Sequence, residues 1–316
     1  MMIDNEITHI PVLINQIMYQ IKDIKKGLWI DATFGLGGYS RSFLENTNCN
    51  VFAIDRDPDV KKYANTLIKE FKNRFEFKSA KFSDLNKFTH LKNVVGISFD
   101  LGLSNLQIKK SDRGFSFKHN GPLDMRMSKS GLKAEDFLKN VDEKTLADIL
   151  FELGDERHSR KIAKAIFKAK RESNISSTFK LAEIVRKAVP GNKFKIDKAT
   201  KTFQAIRMFL NDELKELNKG LIAAEKILQP NGLLVVVSFH SIEDRIVKNF
   251  FSLCSGKSKS FSKFFPEDKR NKSFEILTKK PLVPTQEEIY NNPKSRSAKL
   301  RIAIRTSSDP VHEVAA

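Results

Sequence analysis

Leu28-Trp-Ile-Asp-Ala-Thr-Phe-Gly-Leu-Gly-Gly-Tyr-Ser40 joins a short apolar run to a turn with three glycines, and the fold is decided at this junction. Leu28 to Ala32, behind Gly27, reads as a buried parallel strand, and Tyr39 to Glu45 leaves room for only a short helix. A strand-to-helix turn without side chains lets a ligand reach backbone N–H groups and the helix N-terminus. Val51 to Ile54 is a second apolar run and closes with Asp55, 24 residues after Asp31. A carboxylate there can accept hydrogen bonds from both hydroxyls of an adenosine ribose. The alternative is a tight structural turn with a solvated aspartate.

Asp57-Pro58 opens a longer helix with apolar residues at 60, 63, 64, 67, 68 and 71. Further strands are expected around Phe75 to Phe82 and at Val94 to Leu101, and the alternation implies right-handed crossovers and a doubly wound α/β sheet. Phe203, Ile206, Leu210, Leu214, Leu217, Leu221, Ala224 and Leu228 step by three and four, which predicts one helix of about seven turns, stopped by Pro230 and Gly232. Leu233 to Phe239 follows as a fully buried strand. Phe274 to Lys279 and Leu300 to Arg305 alternate apolar with polar and are expected to pair as an antiparallel edge. Residues 106–200 read as helices without strands. The expected organisation is therefore a sheet domain of 1–105 and 201–316 with an inserted helical, substrate-recognising domain of 106–200.

Two cofactor classes fit the glycine turn. A dinucleotide fingerprint requires a third glycine where Ser40 stands, counting from Gly35. S-adenosylmethionine carries no phosphate and needs only a bend that admits its methionine moiety. Phe99-Asp100-Leu-Gly-Leu-Ser104 favours it further, because a carboxylate arrives at the crevice at the strands' carboxyl ends.

The chain has 316 residues, 40% of them hydrophobic, enough for a substantial core. No stretch approaches the roughly 18 apolar residues of a membrane span, and Met1 to Val12 carries Asp4, Glu6 and His9 rather than an export signal. A soluble cytoplasmic protein with no membrane partner is expected. Cys49 and Cys254 supply neither a disulfide framework nor a structural zinc site, so no metal is expected. The net charge of +18 is unevenly placed: residues 106–200 hold 22 basic and 13 acidic side chains, and residues 251–305 hold 13 and 5. The lysine-rich, Phe-rich bias of an AT-rich genome would spread charge evenly, whereas two basic blocks flanking neutral segments point to a nucleic-acid partner. An oxidoreductase gains nothing from such blocks. A ribosome-assembly factor that only binds RNA would have no need of Asp55 and Asp100.

Seven stretches carry a resemblance: Asp31 to Ser40, Phe99 to Gln107, Arg113-Gly-Phe-Ser-Phe117, Gly121-Pro-Leu-Asp-Met-Arg-Met127, Thr202-Phe-Gln-Ala-Ile-Arg207, Ser238-Phe-His-Ser-Ile-Glu-Asp-Arg245 and Asn292-Pro-Lys-Ser-Arg-Ser-Ala298. In this order they resemble the bacterial 16S ribosomal RNA cytosine-N4 methyltransferase family (RsmH, also called MraW), from His9-Ile-Pro-Val-Leu13 to about Arg305. The resemblance implies a class I S-adenosylmethionine-dependent methyltransferase fold with an inserted helical domain. It implies methylation of a decoding-centre cytosine of 16S rRNA in the small ribosomal subunit. It places the methyl donor against Gly37, Gly38, Tyr39, Asp55, Phe82, Asp100 and Gln107, with Gly35 in the same turn. Two positions depart from the family pattern: Tyr39 stands where histidine is usual, and Asp197-Lys-Ala-Thr200 stands where His-Pro-Ala-Thr is usual. The chain could act as a homodimer.

The remaining motifs carry competing readings. Arg113 with Phe115 could meet phosphate and base, or Phe115 and Phe117 could be one face of a packed strand. Met125 and Met127 around Arg126 read more readily as core, although Gly121 and Pro122 hold the segment in a loop. Lys294, Arg296, Lys299 and Arg301, extended by Arg305, read as a phosphate clamp or as the charged face of an edge strand. Gly256 to Lys263 reads as a mobile loop. His240, directly after the fifth strand, is either a helix cap or a contact to the base. Methylation of cytosine carbon 5 needs a thiolate nucleophile, and neither cysteine is placed for it, whereas an exocyclic amine needs only orientation and a hydrogen-bond acceptor. Asp100 is the expected catalytic acceptor or the holder of the donor's amine, with His240 beside the base.

Overall fold

A computed structural model describes residues 11–24, 26–191, 196–257 and 272–312. The chain forms two compact units, one of residues 1–102 with 215–316 and one of residues 103–214.

The apolar runs of the first unit become one seven-stranded sheet of β1 (Leu28–Asp31), β2 (Asn50–Asp55), β3 (Phe75–Ser79), β4 (Val94–Asp100), β5 (Leu233–Ser238), β6 (Phe274–Ile276) and β7 (Lys299–Arg305). The order is β3-β2-β1-β4-β5-β7-β6, with β1 to β5 parallel and β7 antiparallel to both its neighbours. This is the doubly wound α/β sheet that the alternation of apolar runs predicts. Among the described residues the helices are α1 (Ile14–Gln20), α2 (Gly38–Asn46), α3 (Lys61–Phe71), α4 (Asn105–Lys109), α5 (Ala134–Asn140), α6 (Glu143–Gly154), α7 (Ser159–Glu172), α8 (Thr178–Ala188), α9 (Thr200–Leu210), α10 (Glu213–Ile227), α11 (Ser241–Cys254) and α12 (Gln286–Asn291).

Strand side chains alternate between two apolar layers, as a sheet covered on both faces requires. Trp29, Val51, Ala53, Val235 and Val237 pack with Ile17 of α1, Phe43 of α2 and Ala64 of α3. Ile30, Phe52, Ile54, Ile97, Phe99 and Val236 pack with Leu217 and Leu221 of α10 and Val247 and Phe251 of α11. Gly96 is fixed by this layering: a Cβ there would lie 2.1 Å from the Trp29 ring.

The structure corrects three expectations. The predicted helix over 203–228 is two helices, broken at Asn211 and Asp212, whose φ is 55°. Asn211 is buried there: its amide donates to the carbonyls of Met125 and Arg207, and its Oδ1 accepts the Met127 N–H at 2.8 Å. Arg207 and Glu213 close the break with an ion pair at 2.8 Å. Second, β6 and β7 do pair antiparallel, but β7 lies between β5 and β6, so Lys299 to Arg305 is an interior strand rather than an exposed edge. Third, the helix after Asp57 opens through a 3-10 turn, Pro58–Val60, with the Asp57 side chain accepting the Asp59 N–H, before α3 begins.

The second unit is built on α5 to α9. Leu146 and Leu150 of α6, Ile162 and Ile166 of α7, Leu181 and Val185 of α8 and Phe203 and Ile206 of α9 share one core with Leu123, Met125 and Met127, which settles the two methionines as core. Its described residues carry no strand, only an isolated bridge between Pro122 and Ser177. The unit ends at Leu214 and so takes in α9, which the sequence reading had given to the sheet.

Candidate active site

The carboxyl ends of β1, β2 and β4 deliver Asp31, Asp55 and Asp100 to one end of the sheet, where the strand order reverses between β1 and β4. Ligands bind α/β sheets at such a switch point. Asp31 is only 1% exposed; its Oδ2 accepts the Ser40 hydroxyl at 2.6 Å and its Oδ1 the Thr33 N–H at 3.2 Å, which ties the turn to the first turn of α2. Gly35 and Gly37 have φ of 54° and 82°, and a Cβ on Gly37 would sit 2.8 Å from the Phe34 ring. The Gly35 N–H donates to Asp55 Oδ2 and the Asp57 N–H to Asp55 Oδ1, both at 2.8 Å. The Gly37 N–H donates to the Phe34 carbonyl at 2.7 Å. The expectation that the turn offers these N–H groups to a ligand is therefore corrected. The two glycines supply conformation and space, while Asp55 fastens the turn to β2.

Asp100 differs from the other two carboxylates. Its backbone N–H donates to Thr33 Oγ1 at 2.7 Å, but its Oδ1 is shielded from solvent and has no hydrogen-bond partner. Burial, then repulsion from Asp31 and Glu243, pushes its carboxyl up to about 8. Burial also raises Asp31 to about 6, against bonds from Ser40 and Thr33, and Asp55 to about 6, against the N–H groups of Asp57 and Gly35. Three carboxyls raised in one place favour a ligand bearing positive charge. The sulfonium and amine of S-adenosylmethionine meet that requirement, and Asp100 Oδ1 is a buried acceptor in want of a donor.

The other predicted donor contacts are distributed as follows. Tyr39 is buried in the core and its hydroxyl donates to the Val12 carbonyl, so the phenol is not available to a ligand and only the backbone of Tyr39 faces the turn. Phe82 packs edge-to-face on Phe99 with ring centroids 5.4 Å apart. Gln107 belongs to the second unit, where its Oε1 accepts the Ser104 N–H at 3.0 Å in a capping box that starts α4. His240 is the N-cap residue of α11, and its N–H donates to Glu243 Oε2 at 3.1 Å. Sequence reasoning did not single out Asp31, Thr33 or Glu243. The Asp-x-Thr spacing and the capping-box spacing from His240 to Glu243 were the available signals.

The sequence model of the MraW methylase family matches residues 6–306. The chain belongs to the MraW methylase family. The ribosomal RNA small subunit methyltransferase H of Rickettsia africae (strain ESF-5) is 48% identical over 299 residues, which cover 94% of this chain and 97% of that one. The same-named protein of Rickettsia bellii (strain RML369-C) is 48% identical over 298 residues, covering 93% and 98%. Among solved structures, an rRNA methylase from Streptococcus thermophilus aligns over 95% of this chain and 100% of that one with a TM-score of 0.40 at 11% identity.

Several residues expected to contact RNA have structural partners instead. Arg113 is 2% exposed and donates to the carbonyls of Arg126 and Met127 at 2.9 and 2.8 Å, with its guanidinium 5.6 Å from the Phe115 ring. Phe115 is buried in the helical core, so neither is a surface contact. Arg126 pairs with Asp124 at 2.7 Å. Arg301 is 7% exposed and its Nε lies 2.6 Å from Asp244 Oδ1, with Lys299 at 3.2 Å from the same carboxylate. Against the upward push of burial, Arg301 and Lys299 hold Asp244 below the usual carboxylate range. Arg305 is spent on the carbonyls of Glu225, Ser273, Thr306 and Ser308. Lys294 and Arg296 remain on the surface. His9 and Ile10 of the family's opening motif and residues 258–263 of the basic loop lie outside the described residues.

One basic surface was missed. Arg160, Lys161, Lys164, Lys168 and Arg171 of α7 are all exposed and recur at three- and four-residue steps, opposite buried Ile162, Ala163 and Ile166. The same periodicity that marked the apolar face of this helix marks its cationic face. Cys49 and Cys254 are both buried, the first at the amino end of β2 and the second at the end of α11, so neither stands with the three carboxyls.

Proposed function

We propose that this methylase transfers the methyl group of S-adenosylmethionine to the exocyclic N4 amine of a decoding-centre cytosine in the 16S rRNA of the small ribosomal subunit, in the cytoplasm. The observation that carries the reading is the unpartnered, buried Oδ1 of Asp100 at the switch point of the sheet, in a chain of this family. Gly35, Gly37, Gly38 and the Tyr39 backbone form the bend for the methionine moiety, and Phe82, packed edge-to-face on Phe99, completes the donor contacts within the first unit. Asp55 uses one lone pair of each oxygen on the turn and retains others for ribose hydroxyls. When bound, the donor supplies an electrophilic methyl group. As a carboxylate, Asp100 would either accept a hydrogen bond from the attacking amine, directing its lone pair at the methyl group and taking up the proton the amine sheds, or hold the donor's own amine. His240 stands beside the base. The exposed cations of α7, with Lys294 and Arg296, support an RNA substrate by contacting phosphates. The target base has to be unstacked to reach the crevice. No helix of the described residues is long and apolar enough to cross a membrane.

Mass spectrometry of 16S rRNA from a strain lacking this gene tests the reading. One decoding-centre cytosine should be lighter by one methyl group, restored by the wild-type gene and not by Asp100→Ala. An unchanged methylation pattern contradicts it.

A further inference from the structure

Apart from the crevice, three residues distant in sequence bring a carboxylate, a thiol and an imidazole together inside the first unit. Glu225 lies near the end of α10, Cys254 ends α11, and His312 lies beyond β7. Cys254 Sγ is 3.6 Å from Glu225 Oε1 and 3.8 Å from His312 Nδ1, and His312 Nδ1 is 2.7 Å from Glu225 Oε2. One donor atom from each lies within 4.8 Å of the others. Glu225 and Cys254 are fully buried and the His312 side chain is 22% exposed.

We propose that Glu225, Cys254 and His312 bind a zinc-class divalent metal ion that fastens the segment after β7 to α10 and α11. Bonds of about 2.3 Å to sulfur and about 2.0–2.1 Å to nitrogen and oxygen, at tetrahedral angles, set neighbouring donors about 3.3–3.6 Å apart. The two contacts of Cys254 are near that spacing. Only the pair of His312 and Glu225 is closer, as a hydrogen bond whose proton the ion replaces. The supporting groups are also in place. The Ser273 hydroxyl and the Val311 N–H both donate to Glu225 Oε1, and the His312 ring stacks on Phe250 at 5.2 Å and 13°. Such outer contacts orient metal ligands.

The charges balance. Glu225, hydrogen-bonded by His312, Ser273 and the Val311 N–H, enters as a carboxylate and Cys254 as a thiol. A divalent ion displaces the thiol proton and the His312 Nδ1 proton to solvent, the neutral imidazole carrying its one proton on Nε2, and leaves a neutral set of one thiolate, one carboxylate, one imidazole and the ion. The fourth position takes water. From His240, where α11 starts near the crevice, to Cys254 the 14-residue helix runs about 20 Å, so the ion is structural and takes no part in methyl transfer. The sequence argument against zinc counted cysteines alone; here one thiolate suffices because the other donors come from 29 residues upstream and 58 downstream.

Tag-free full-length chain is incubated with zinc sulfate, freed of loose metal and assayed by elemental mass spectrometry; cobalt chloride is titrated in parallel. The proposal expects about one zinc per chain, a melting temperature raised by several degrees, and a thiolate-to-cobalt charge-transfer band. Cys254→Ser and His312→Gln, checked for fold by circular dichroism, should each bind zinc at least tenfold more weakly. A wild-type chain with neither retained zinc nor a cobalt-thiolate band overturns the proposal whatever the variants do, as does wild-type affinity in both folded variants.

Discussion

Because Asp100 titrates near 8, it is largely protonated in the ligand-free chain at neutral pH. A donor with a net positive charge favours its carboxylate, so binding expels a proton. Affinity for S-adenosylmethionine should climb from pH 6 to 8, by at most tenfold per pH unit, and level off above Asp100's own value. Calorimetry across that range should give the slope for the wild type and a flat, weaker profile for Asp100→Asn; a flat wild-type profile would remove Asp100 from the donor site. The linked stability has the opposite sign. A carboxyl raised on folding binds more protons folded than unfolded, so Asp31, Asp55 and Asp100 make the ligand-free chain less stable as pH rises from about 4 to 8. Asp55→Ala removes the acceptor of two backbone N–H groups and, on the proposed reading, that of the ribose hydroxyls, each bond being about 1 kcal/mol or more. Donor affinity should drop at least tenfold by calorimetry, and equal affinity would exclude Asp55.

Among the elements, β7 and α7 divide what sequence had treated as one kind of cation. Arg301→Ala strips Asp244 of its buried partner and should destabilise the chain by about 3 kcal/mol in denaturant unfolding, with no change in the salt dependence of RNA binding. Lys164→Glu with Lys168→Glu on α7 should do the reverse: unchanged stability, and a log–log salt slope for RNA reduced by about two. A slope indifferent to the two α7 reversals would show that stripe to be merely solvated. Sequence could not separate these cases, because Arg301 and Arg305 alternate with apolar residues as surface charges do, and their partners Asp244 and Glu225 lie 57 and 80 residues away. The break between α9 and α10 was hidden for the same reason. Leu210, Leu214 and Leu217 keep helical spacing across it, while its cause is Asn211 binding a loop 84 and 86 residues upstream. The parallel strands were legible because strands covered on both faces are unbroken apolar runs.

For the molecule as a whole, the succession of parallel strands along the chain and the carboxylates at their ends could be read from local pattern, since each parallel strand ends where its apolar run ends, whereas their spatial order could not. The crevice's electrostatics could not, because Asp31, Asp100 and Glu243 influence one another only once β1, β4 and α11 are adjacent. The family match supplies the reaction class, and the unpartnered acceptor of Asp100 marks the place proposed for it. The most direct measurement incubates the purified chain with methyl-labelled S-adenosylmethionine and unmethylated small ribosomal subunits whose cytosines carry tritium at carbon 5. The account predicts N4-methylcytidine at one decoding-centre position, tritium retained, and almost no transfer by Asp100→Ala. Release of tritium with 5-methylcytidine as product, or full activity of Asp100→Ala, would contradict it.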